Sequence, residues 1–312
     1  MLKYVLKRLG YILVTLWVIV TCTFFMMKNL PGTPFDAERF SIMTPQQQER
    51  VLEMYGLNDS LPMQYVKYIK NMLKGDLGTS FTYVNQDVSK VITGRLGPSA
   101  LIGIQAVLIG LAIGLILGIL AAWKHNSGID YFTMILAVLG VSVPNFVAAA
   151  LLQYYIGLKW GVLPVGFWTG WNCSVLPSIA LSFSATAMVA RFMRTEMLDV
   201  LDQDYIVTAR AKGISQAKVL MKHAVKNSII PVVTVLGPIV VNLLTGSLAV
   251  ENIFSIPGIG SLFVDCIKAN DYPVIMGITI FYAAFYMLVV LLVDLAYSLI
   301  DPRIRLAKGK ES

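Results

Sequence analysis

Six long stretches of this chain carry almost no charge, and they limit the fold more than any other feature. They occupy residues 9–27, 96–123, 131–158, 160–190, 228–250 and 272–300, in which Asp294 is the one charged residue. Each is close to or longer than the roughly 20 residues that a helix needs to cross a bilayer. Because hydrocarbon offers no partner to backbone hydrogen-bonding groups, only helices and closed barrels can span it. The stretches predict an all-α integral membrane protein with six transmembrane helices.

The composition of the 312 residues supports a membrane protein. Charged residues make up 14% of the chain and hydrophobic residues 56%, whereas a soluble domain carries roughly a quarter charged residues. The net charge of +7 does not indicate nucleic-acid binding, because the basic residues lie beside apolar stretches rather than on one soluble face. The three cysteines, Cys22, Cys173 and Cys266, are scattered, so we expect no metal site and no disulfide framework.

The polar segments divide the chain into four parts. Residues 1–30 are predicted to form a cytoplasmic N-terminus and the first transmembrane helix, because no small-residue cleavage site follows this stretch, as one would in a signal peptide. Residues 31–95 are predicted to form a small extracytoplasmic helical segment. We expect a transmembrane core at 96–300, interrupted by a cytoplasmic loop at 191–227, and a basic cytoplasmic tail at 301–312.

Two helices are predicted within residues 31–95. Thr44 and Pro45 provide a cap and a first-turn proline for one helix, which Gly56 would close. The second helix is predicted over 60–74, where apolar residues recur close to helical spacing. A segment this small and charge-balanced suits a lid or a docking surface, and a ligand pocket of its own is the alternative.

The distribution of basic residues predicts the orientation in the membrane. Six spans place both termini on one side, together with the loop 191–227. Lys and Arg are concentrated in these segments, whereas the two short loops on the other side hold only Lys159 and Lys268. Because basic residues are retained on the cytoplasmic side, both termini are predicted to be cytoplasmic.

Residues 191–227 are the most polar interruption between two apolar stretches, with seven basic and four acidic side chains. So many charges cannot lie in hydrocarbon. A short helix is predicted after Asp202 and Asp204, either of which can cap it, and Gly213 can end it. A second helical run over 215–227 leads back towards the membrane.

Local packing and bending are also predicted. Glycines spaced mostly four apart permit close helix packing, which is more expected here than a ligand site: Gly103, Gly110, Gly114 and Gly118. Pro144 should kink the third span. Asp294, near the inner end of the last span, would pair with a basic residue or carry a proton.

The sequence DYIVTARAKGIS followed by KHAVKN resembles the cytoplasmic coupling loop of ABC-importer permeases of the dipeptide/oligopeptide/nickel branch. With Gly213 as the reference, the Glu-Ala-Ala triplet of that family falls on 207–209, of which Ala209 matches. The resemblance extends over nearly the whole chain through the following motifs: MLKYVLKRLG, YGLNDSLPMQYVKYIKNMLKGDLGTSF, VSVPNFV, LPSIALS, RFMRTEML, IPGIGSLFVDCIKANDYPVIMG and VDLAYSLIDPRIR. These motifs are most similar to the first permease subunit of oligopeptide importers.

This resemblance implies a type I ABC-importer permease in a bacterial cytoplasmic membrane. Its implied partners are the lipid bilayer, a homologous second permease, two cytoplasmic ATPase subunits and an extracytoplasmic peptide-binding protein. ATP and Mg would act on the ATPases, and this chain, which has no GxxxxGK[ST] motif, would be non-catalytic and bind no cofactor. The alternatives are a nickel or other small-solute importer of the same family and a stand-alone secondary carrier.

The resemblance also implies functional residues. The residues implied to contact the ATPase are Asp204, Ala209, Arg210, Ala211, Lys212, Gly213 and Ile214. Polar residues of the spans are candidates for the translocation path, although interhelical hydrogen bonds would explain them equally: Gln153, Asn242 and Thr245. A turn after the fifth span would form an outer gate or a structural hairpin, and its residues are Pro257, Gly258 and Gly260.

Overall fold

The structure, a computed structural model, describes residues 2–29, 40, 42–54, 56–83, 86–244 and 248–300. Side chains are described in these ranges except at 2–5, 54, 234–236, 244, 294 and 296–300. The predicted path residue Thr245, the tail 301–312, residues 30–39 and the side chain of Asp294 therefore lie outside the described part of the protein.

The described residues form helices joined by turns. In chain order the α-helices are α1 Leu2–Lys28, α2 Pro45–Met54, α3 Leu61–Met72, α4 Val88–Trp123, α5 Gly128–Ser142, α6 Asn145–Leu152, α7 Val175–Leu201, α8 Asp204–Ala211, α9 Gln216–Lys218, α10 Lys226–Leu244, α11 Leu248–Ile253, α12 Ile259–Lys268 and α13 Tyr272–Ile300. A π-helical stretch, Gln153–Lys159, continues α6, and another, Val219–Val225, joins α9 to α10.

Helix length and composition confirm the all-α membrane fold. Four of the described helical stretches are long and apolar enough to cross a bilayer: Leu6–Lys28, Val88–Trp123, Trp171–Leu201 and Tyr272–Val293. Two further stretches pass the same test as bent pairs: Gly128–Ser142 with Asn145–Lys159, at 100°, and Gln216–Val233 with Gly237–Ile253, at 59°. The predicted six spans are obtained when each bent pair is counted as one span.

The bend in the third span lies at the proline that the sequence marks. Pro144 separates α5 from α6, and Val143 before it has an extended backbone (ψ 119°). A proline disfavours helical geometry at the preceding residue and lacks the N–H that would continue the ladder. The kink predicted at Pro144 is confirmed, and at 100° it is a change of helix direction.

The second span begins earlier than its apolar stretch. α4 starts at Val88 and includes Lys90 and Arg95, which the sequence places in the polar segment. A helix of 36 residues is about 54 Å long, whereas the hydrocarbon layer is about 30 Å thick. Charged side chains are excluded from hydrocarbon but not from a helix, so α4 extends beyond the membrane.

The chain divides into two compact units. Unit 1 consists of Met1–Gly97 and Gly258–Phe285, and unit 2 of Pro98–Pro257 and Tyr286–Ser312. Unit 1 contains the two predicted helices of the polar segment as α2 and α3, and Gly56 ends the first with a left-handed backbone (φ +64°). The buried carboxylate of Asp271 in unit 1 accepts hydrogen bonds from the Ser80 hydroxyl and the Thr82 N–H.

In unit 2 the central element is α7. Of the 18 most apolar consecutive residues in the span Trp171–Leu201, which contains α7, 67% are buried. The corresponding share in the span Val88–Trp123 is 28%. α7 packs against α5, α6 and α10. A helix that is surrounded by other helices at short range needs small side chains at the contacts, and alanines occupy many of the buried positions of α7.

Glycines of α4 and α5 allow this close packing. A Cβ added to Gly114 would lie 2.8 Å from the Val189 Cβ and 2.9 Å from the Thr186 carbonyl oxygen. Added to Gly118, it would lie 2.6 Å from the Ala190 carbonyl oxygen. Gly110 and, on α5, Gly140 meet α7 in the same way. The predicted packing role of the α4 glycines is confirmed at Gly110, Gly114 and Gly118.

An ion pair joins α5 to the last turns of α7. The Arg194 guanidinium donates to both oxygens of the Asp130 carboxylate, from Nε at 2.6 Å and from Nη2 at 2.8 Å. The Asn126 N–H donates to the same carboxylate at 3.0 Å, and His125 Nδ1 lies 3.0 Å from it. The Asp130 side chain is only 2% exposed, so its charge depends on these partners.

Substitution of Gly114 by alanine should destabilise the protein by about 1–3 kcal/mol, because the contacted atoms include a backbone oxygen that cannot rotate away. Gly94→Ala, in the same helix but with nothing within 4 Å of an added Cβ, should be neutral or stabilising by up to about 1 kcal/mol. The midpoints of thermal unfolding in detergent measure both effects, and equal midpoints would contradict the packing interpretation.

Asp130→Asn should lower the free energy of unfolding by about 3 kcal/mol or more, since it leaves Arg194 partly buried without its counter-charge. Lys90→Gln breaks the exposed Lys90–Asp87 pair (79% and 55% exposed) and should change stability by at most about 1 kcal/mol. The same unfolding measurement compares the two variants. Similar effects would show that the Asp130–Arg194 pair is not an important contact.

Candidate functional site

The charged segment 191–227 is mostly helical. Its first part is the end of α7, and α8 follows after a short turn, so the predicted short helix is confirmed. The predicted cap is wrong. Gln203 occupies the N-cap position, Asp202 is the C-cap residue of α7, and Asp204 is the first residue of α8. There the Asp204 carboxylate lies at the helix N-terminus, where the helix dipole stabilises a negative charge.

A small apolar cluster attaches α8 to the rest of unit 2. Ile206 and Ala209 lie one helical turn apart on the inner side of α8 and are 0% and 7% exposed. They pack with Val219 of the following π-helical stretch, and Val200, Leu201 and Ile214 partly cover the cluster. Burial of these side chains fixes which face of α8 points outwards. The spacing of Ile206 and Ala209 indicates this orientation, but the sequence analysis did not use it.

The outer face of α8 is exposed and contains both polar and apolar residues. Of the seven residues implied to contact an ATPase, five are exposed: Asp204, Arg210, Ala211, Lys212 and Gly213. Ala209 is buried and Ile214 half-buried, so they hold the helix in place. The sequence analysis missed Tyr205 and Val207, which are 44% and 58% exposed.

Gly213 ends α8 in a left-handed conformation, as predicted. Its φ is +74°, its N–H donates to the Arg210 carbonyl at 3.0 Å, and the Ile214 N–H donates to the Ala209 carbonyl at 3.3 Å. No atom lies within 4 Å of the position of an added Cβ. Glycine is therefore favoured here by backbone conformation and not by lack of space.

The basic residues of this segment differ in their pairing. Arg194 is bound to Asp130, as described above. The other six basic side chains form no ion pair with a described residue: Arg191, Arg210, Lys212, Lys218, Lys222 and Lys226. The exposed surface around α8 is therefore basic and available for acidic groups of another protein.

The helical run after α8 continues into the fifth span without the break that the sequence suggests at residue 227. The Ser228 hydroxyl donates to the carbonyl oxygens of Ala224 and, on α7, Glu196, at 2.9 and 3.1 Å. The Asn227 amide donates to the Tyr205 hydroxyl at 3.1 Å. These contacts connect α8, the end of α7 and the start of α10.

Two of the three candidate path residues, Gln153 and Asn242, are described by the structure. The Gln153 amide donates to the carbonyl oxygens of Val165, at 2.6 Å, and Ile253, at 2.8 Å. Structural hydrogen bonds of this kind are the alternative to a role of Gln153 in the translocation path. Asn242 is exposed on α10.

The candidate gate residues have different environments. Pro257 is half-buried, Gly258 is the N-cap residue of α12 with φ −99°, and Gly260 is buried within α12. Gly258 therefore does not use the left-handed backbone that glycine permits. The left-handed residue of this turn is Ser255 (φ +49°), which the sequence analysis did not identify.

A cavity is present among the described residues of each unit. In unit 1, a cavity of about 360 Å³ is lined by polar and aromatic residues that include Lys28, Glu53 and Tyr68. The Tyr68 hydroxyl is buried with no hydrogen-bond partner among the described residues, and burial raises its pKa. This cavity keeps open the alternative that the polar segment has a ligand pocket.

The cavity in unit 2 is a groove of about 730 Å³ between α4, α5, α6 and α7. Its described lining is aliphatic or small apart from Phe183, with Thr133, Ser182 and Thr186 as the polar residues. Transfer of charged or peptide groups into such surroundings is unfavourable. This groove is therefore unsuited to a polar solute.

Two family models together match most of the chain. The model described as binding-protein-dependent transport system inner membrane component matches residues 114–306, and its N-terminal counterpart matches residues 1–96. The first match includes the whole of α7, α8 and the exposed basic surface around α8.

Curated relatives match over the full length. The dipeptide transport system permease protein of Lactococcus lactis is 46% identical, covering 98% of this chain and 100% of the relative. The corresponding protein of Bacillus subtilis is 43% identical, covering 99% of each chain. The oligopeptide transport system permease protein of Haemophilus influenzae is 38% identical, covering 98% of this chain and 100% of the relative.

A solved structure shares the fold. The crystal structure of an amino acid ABC transporter with histidines has a chain that aligns with a TM-score of 0.52 at 20% identity, covering 69% of this chain and 94% of that chain. The helical membrane fold, the family matches and the full-length relatives agree. The chain belongs to the family of binding-protein-dependent transport system inner membrane components, the permease subunits of ABC importers.

Proposed function

We propose that this protein is the permease subunit of an ATP-driven importer of short peptides. The observation that carries the proposal is the exposed outer face of α8 with the basic residues that follow it, a helix that is attached to the central span α7 through Ile206 and Ala209. Because α8 is exposed on one side and attached to α7 on the other, it can receive force from another protein and transmit it to the membrane core. The names of the dipeptide and oligopeptide permease relatives support peptides as the solute.

The proposed assembly contains four kinds of subunit. A homologous second permease completes the path, which fits the apolar character of the groove in unit 2. Two ATPase subunits with ATP and Mg bind at α8, and an extracytoplasmic binding protein delivers the peptide. We place the protein in a bacterial cytoplasmic membrane. The concentration of Lys and Arg in both termini and in residues 191–227 supports a cytoplasmic location for these three segments.

We propose that the ATPase contacts Asp204, Arg210, Ala211, Lys212 and Gly213, together with Tyr205 and Val207. Ala209 and Ile214 act from the inner side, where they hold α8 in position. When the ATPases close, they move α8, and the buried cluster requires the end of α7 to move with it. The Asp130–Arg194 pair then transmits this movement to α5.

Gln153, Asn242 and Thr245 remain our candidates for the peptide path, and Pro257, Gly258 and Gly260 for the outer gate. Gln153 keeps its side-chain carbonyl oxygen as an acceptor, because its two structural bonds use the amide N–H groups. A nickel importer and a stand-alone carrier are not favoured, since the full-length relatives described above are peptide permeases of ABC importers.

Transport by the reconstituted complex tests the proposed function. Proteoliposomes with this chain, the second permease and the ATPases should accumulate labelled dipeptide only when ATP and the binding protein are both supplied. Uptake by this chain alone in an ion gradient would contradict the proposal and favour a secondary carrier.

Arg210→Glu should reduce peptide uptake at least tenfold while the ATPases still hydrolyse ATP, because it reverses a charge on the proposed contact surface. Lys268→Glu makes the same charge change at an exposed residue outside this surface and should leave uptake unchanged. Uptake and ATP hydrolysis are measured on the same proteoliposomes. Equal uptake by the two variants would remove Arg210 from the contact.

Gly213→Val should reduce uptake several-fold, because a β-branched residue is strained by about 1–2 kcal/mol at a φ of +74°. Gly213→Asn should retain most of the uptake, since asparagine tolerates this conformation. The space around the residue is open, so the size of the side chain cannot explain a difference. If both variants behave alike, backbone conformation at Gly213 is not important for coupling.

A further inference from the structure

α3 lies against the last two turns of the membrane span α1. The hydroxyl groups of Thr21 and Tyr65 are 2.7 Å apart. The Phe24 ring lies 5.4 Å from the Tyr65 ring and 5.9 Å from the Tyr68 ring. Thr21 precedes the end of α1 at Lys28 by about two turns, or roughly 10 Å along the helix axis. These contacts hold α3 near the depth where hydrocarbon gives way to lipid headgroups.

The opposite face of α3 and of the turn after it is uncovered. Met63, Val66 and Leu73 are 49%, 58% and 78% exposed. Their spacing of three and seven residues places them on one side of the helix, away from Tyr65 and Tyr68. No residue of α3 is buried, so this helix contributes a large apolar surface that unit 1 does not use in its core.

Lysines accompany this apolar surface. Lys67 pairs with Asp59 at 2.6 Å. Lys70 and Lys74 form no ion pair with a described residue. Lys70 lies one helical turn after Val66, on the same side of α3, and Lys74 follows in the turn after α3. A long lysine side chain can lie along apolar surface while its ammonium group reaches the headgroup layer.

We propose that this face of α3 and of the turn after it, formed by Met63, Val66, Lys70, Leu73 and Lys74, lies on the bilayer surface and binds anionic phospholipid headgroups. A helix with an apolar face and adjacent basic residues binds an anionic bilayer through both apolar burial and electrostatic attraction. The interaction is independent of the solute transported and goes beyond the proposed function.

The membrane is a better occupant of this face than another protein, because α3 packs against the end of a span that is itself largely exposed. Phe25 of α1 is 42% exposed. Of the 18 most apolar consecutive residues of this span, only 11% are buried. Its ring stacks on Tyr65 of α3 at 5.7 Å and 26°. α3 is therefore packed directly beside a span whose surface is exposed to lipid, so lipid is the nearest occupant for the face of α3 that points away from α1.

Photocrosslinking of the full chain identifies what lies on this face. Benzoylphenylalanine is introduced at Val66 and, as a control, at Lys218, an exposed residue of the charged segment. Irradiation in native membranes and mass spectrometry should give phospholipid adducts at Val66 and none at Lys218. Adducts only with another protein at Val66, or no lipid adduct there, would overturn the proposal.

The preference for anionic lipid is tested in nanodiscs that contain equal amounts of phosphatidylglycerol and phosphatidylcholine. Each lysine near an anionic surface raises the affinity for it about fivefold. A double variant, Lys70→Glu with Lys74→Glu, should therefore lower the ratio of phosphatidylglycerol to phosphatidylcholine adducts at Val66 at least tenfold. Lys218→Glu should leave this ratio unchanged. An unchanged ratio in the double variant would contradict recognition of anionic headgroups.

Discussion

Close approach of helix backbones around α7 is the constraint on which the membrane core in unit 2 depends. Gly110, Gly114 and Gly118 of α4 and Gly140 of α5 leave no room for a Cβ where they meet α7. Apolar side chains gain little by leaving lipid for protein, so packing at short range has to stabilise helix contacts in a membrane. The small residues of α7 and of its neighbours therefore determine where the central span lies.

The position of α7 determines the position of the exposed surface at its end. α7 continues to Leu201, and α8 begins at Asp204, so little chain separates the packed span from the proposed ATPase contact. Ile206 and Ala209 are buried against neighbouring residues, and Arg194 is bound to Asp130 of α5. A displacement of α8 is thereby linked to two spans by side-chain contacts as well as by the chain.

The sequence predicted most of the fold because hydrocarbon imposes simple rules. Apolar length indicated the spans, Pro144 the bend, and Gly213 the end of α8. The early start of α4 was missed, since Lys90 and Arg95 mark the limit of the hydrocarbon and not of the helix. The site was predicted less well. Ala209 belongs to the inner face, and the roles of Gln153 and Asp130 depend on contacts between residues far apart in the chain, which local patterns do not contain.

The central claim is that the exposed face of α8 binds the ATPase subunits. The most direct measurement is affinity purification of the tagged full chain in mild detergent, with mass spectrometry of the proteins that accompany it. The wild-type chain should retain a second permease and ATPases with Walker motifs, whereas Val207→Asp, a change at a residue 58% exposed on α8, should lose the ATPases and keep the permease. Equal retention of the ATPases by both forms, or their absence from the wild type, would contradict the claim.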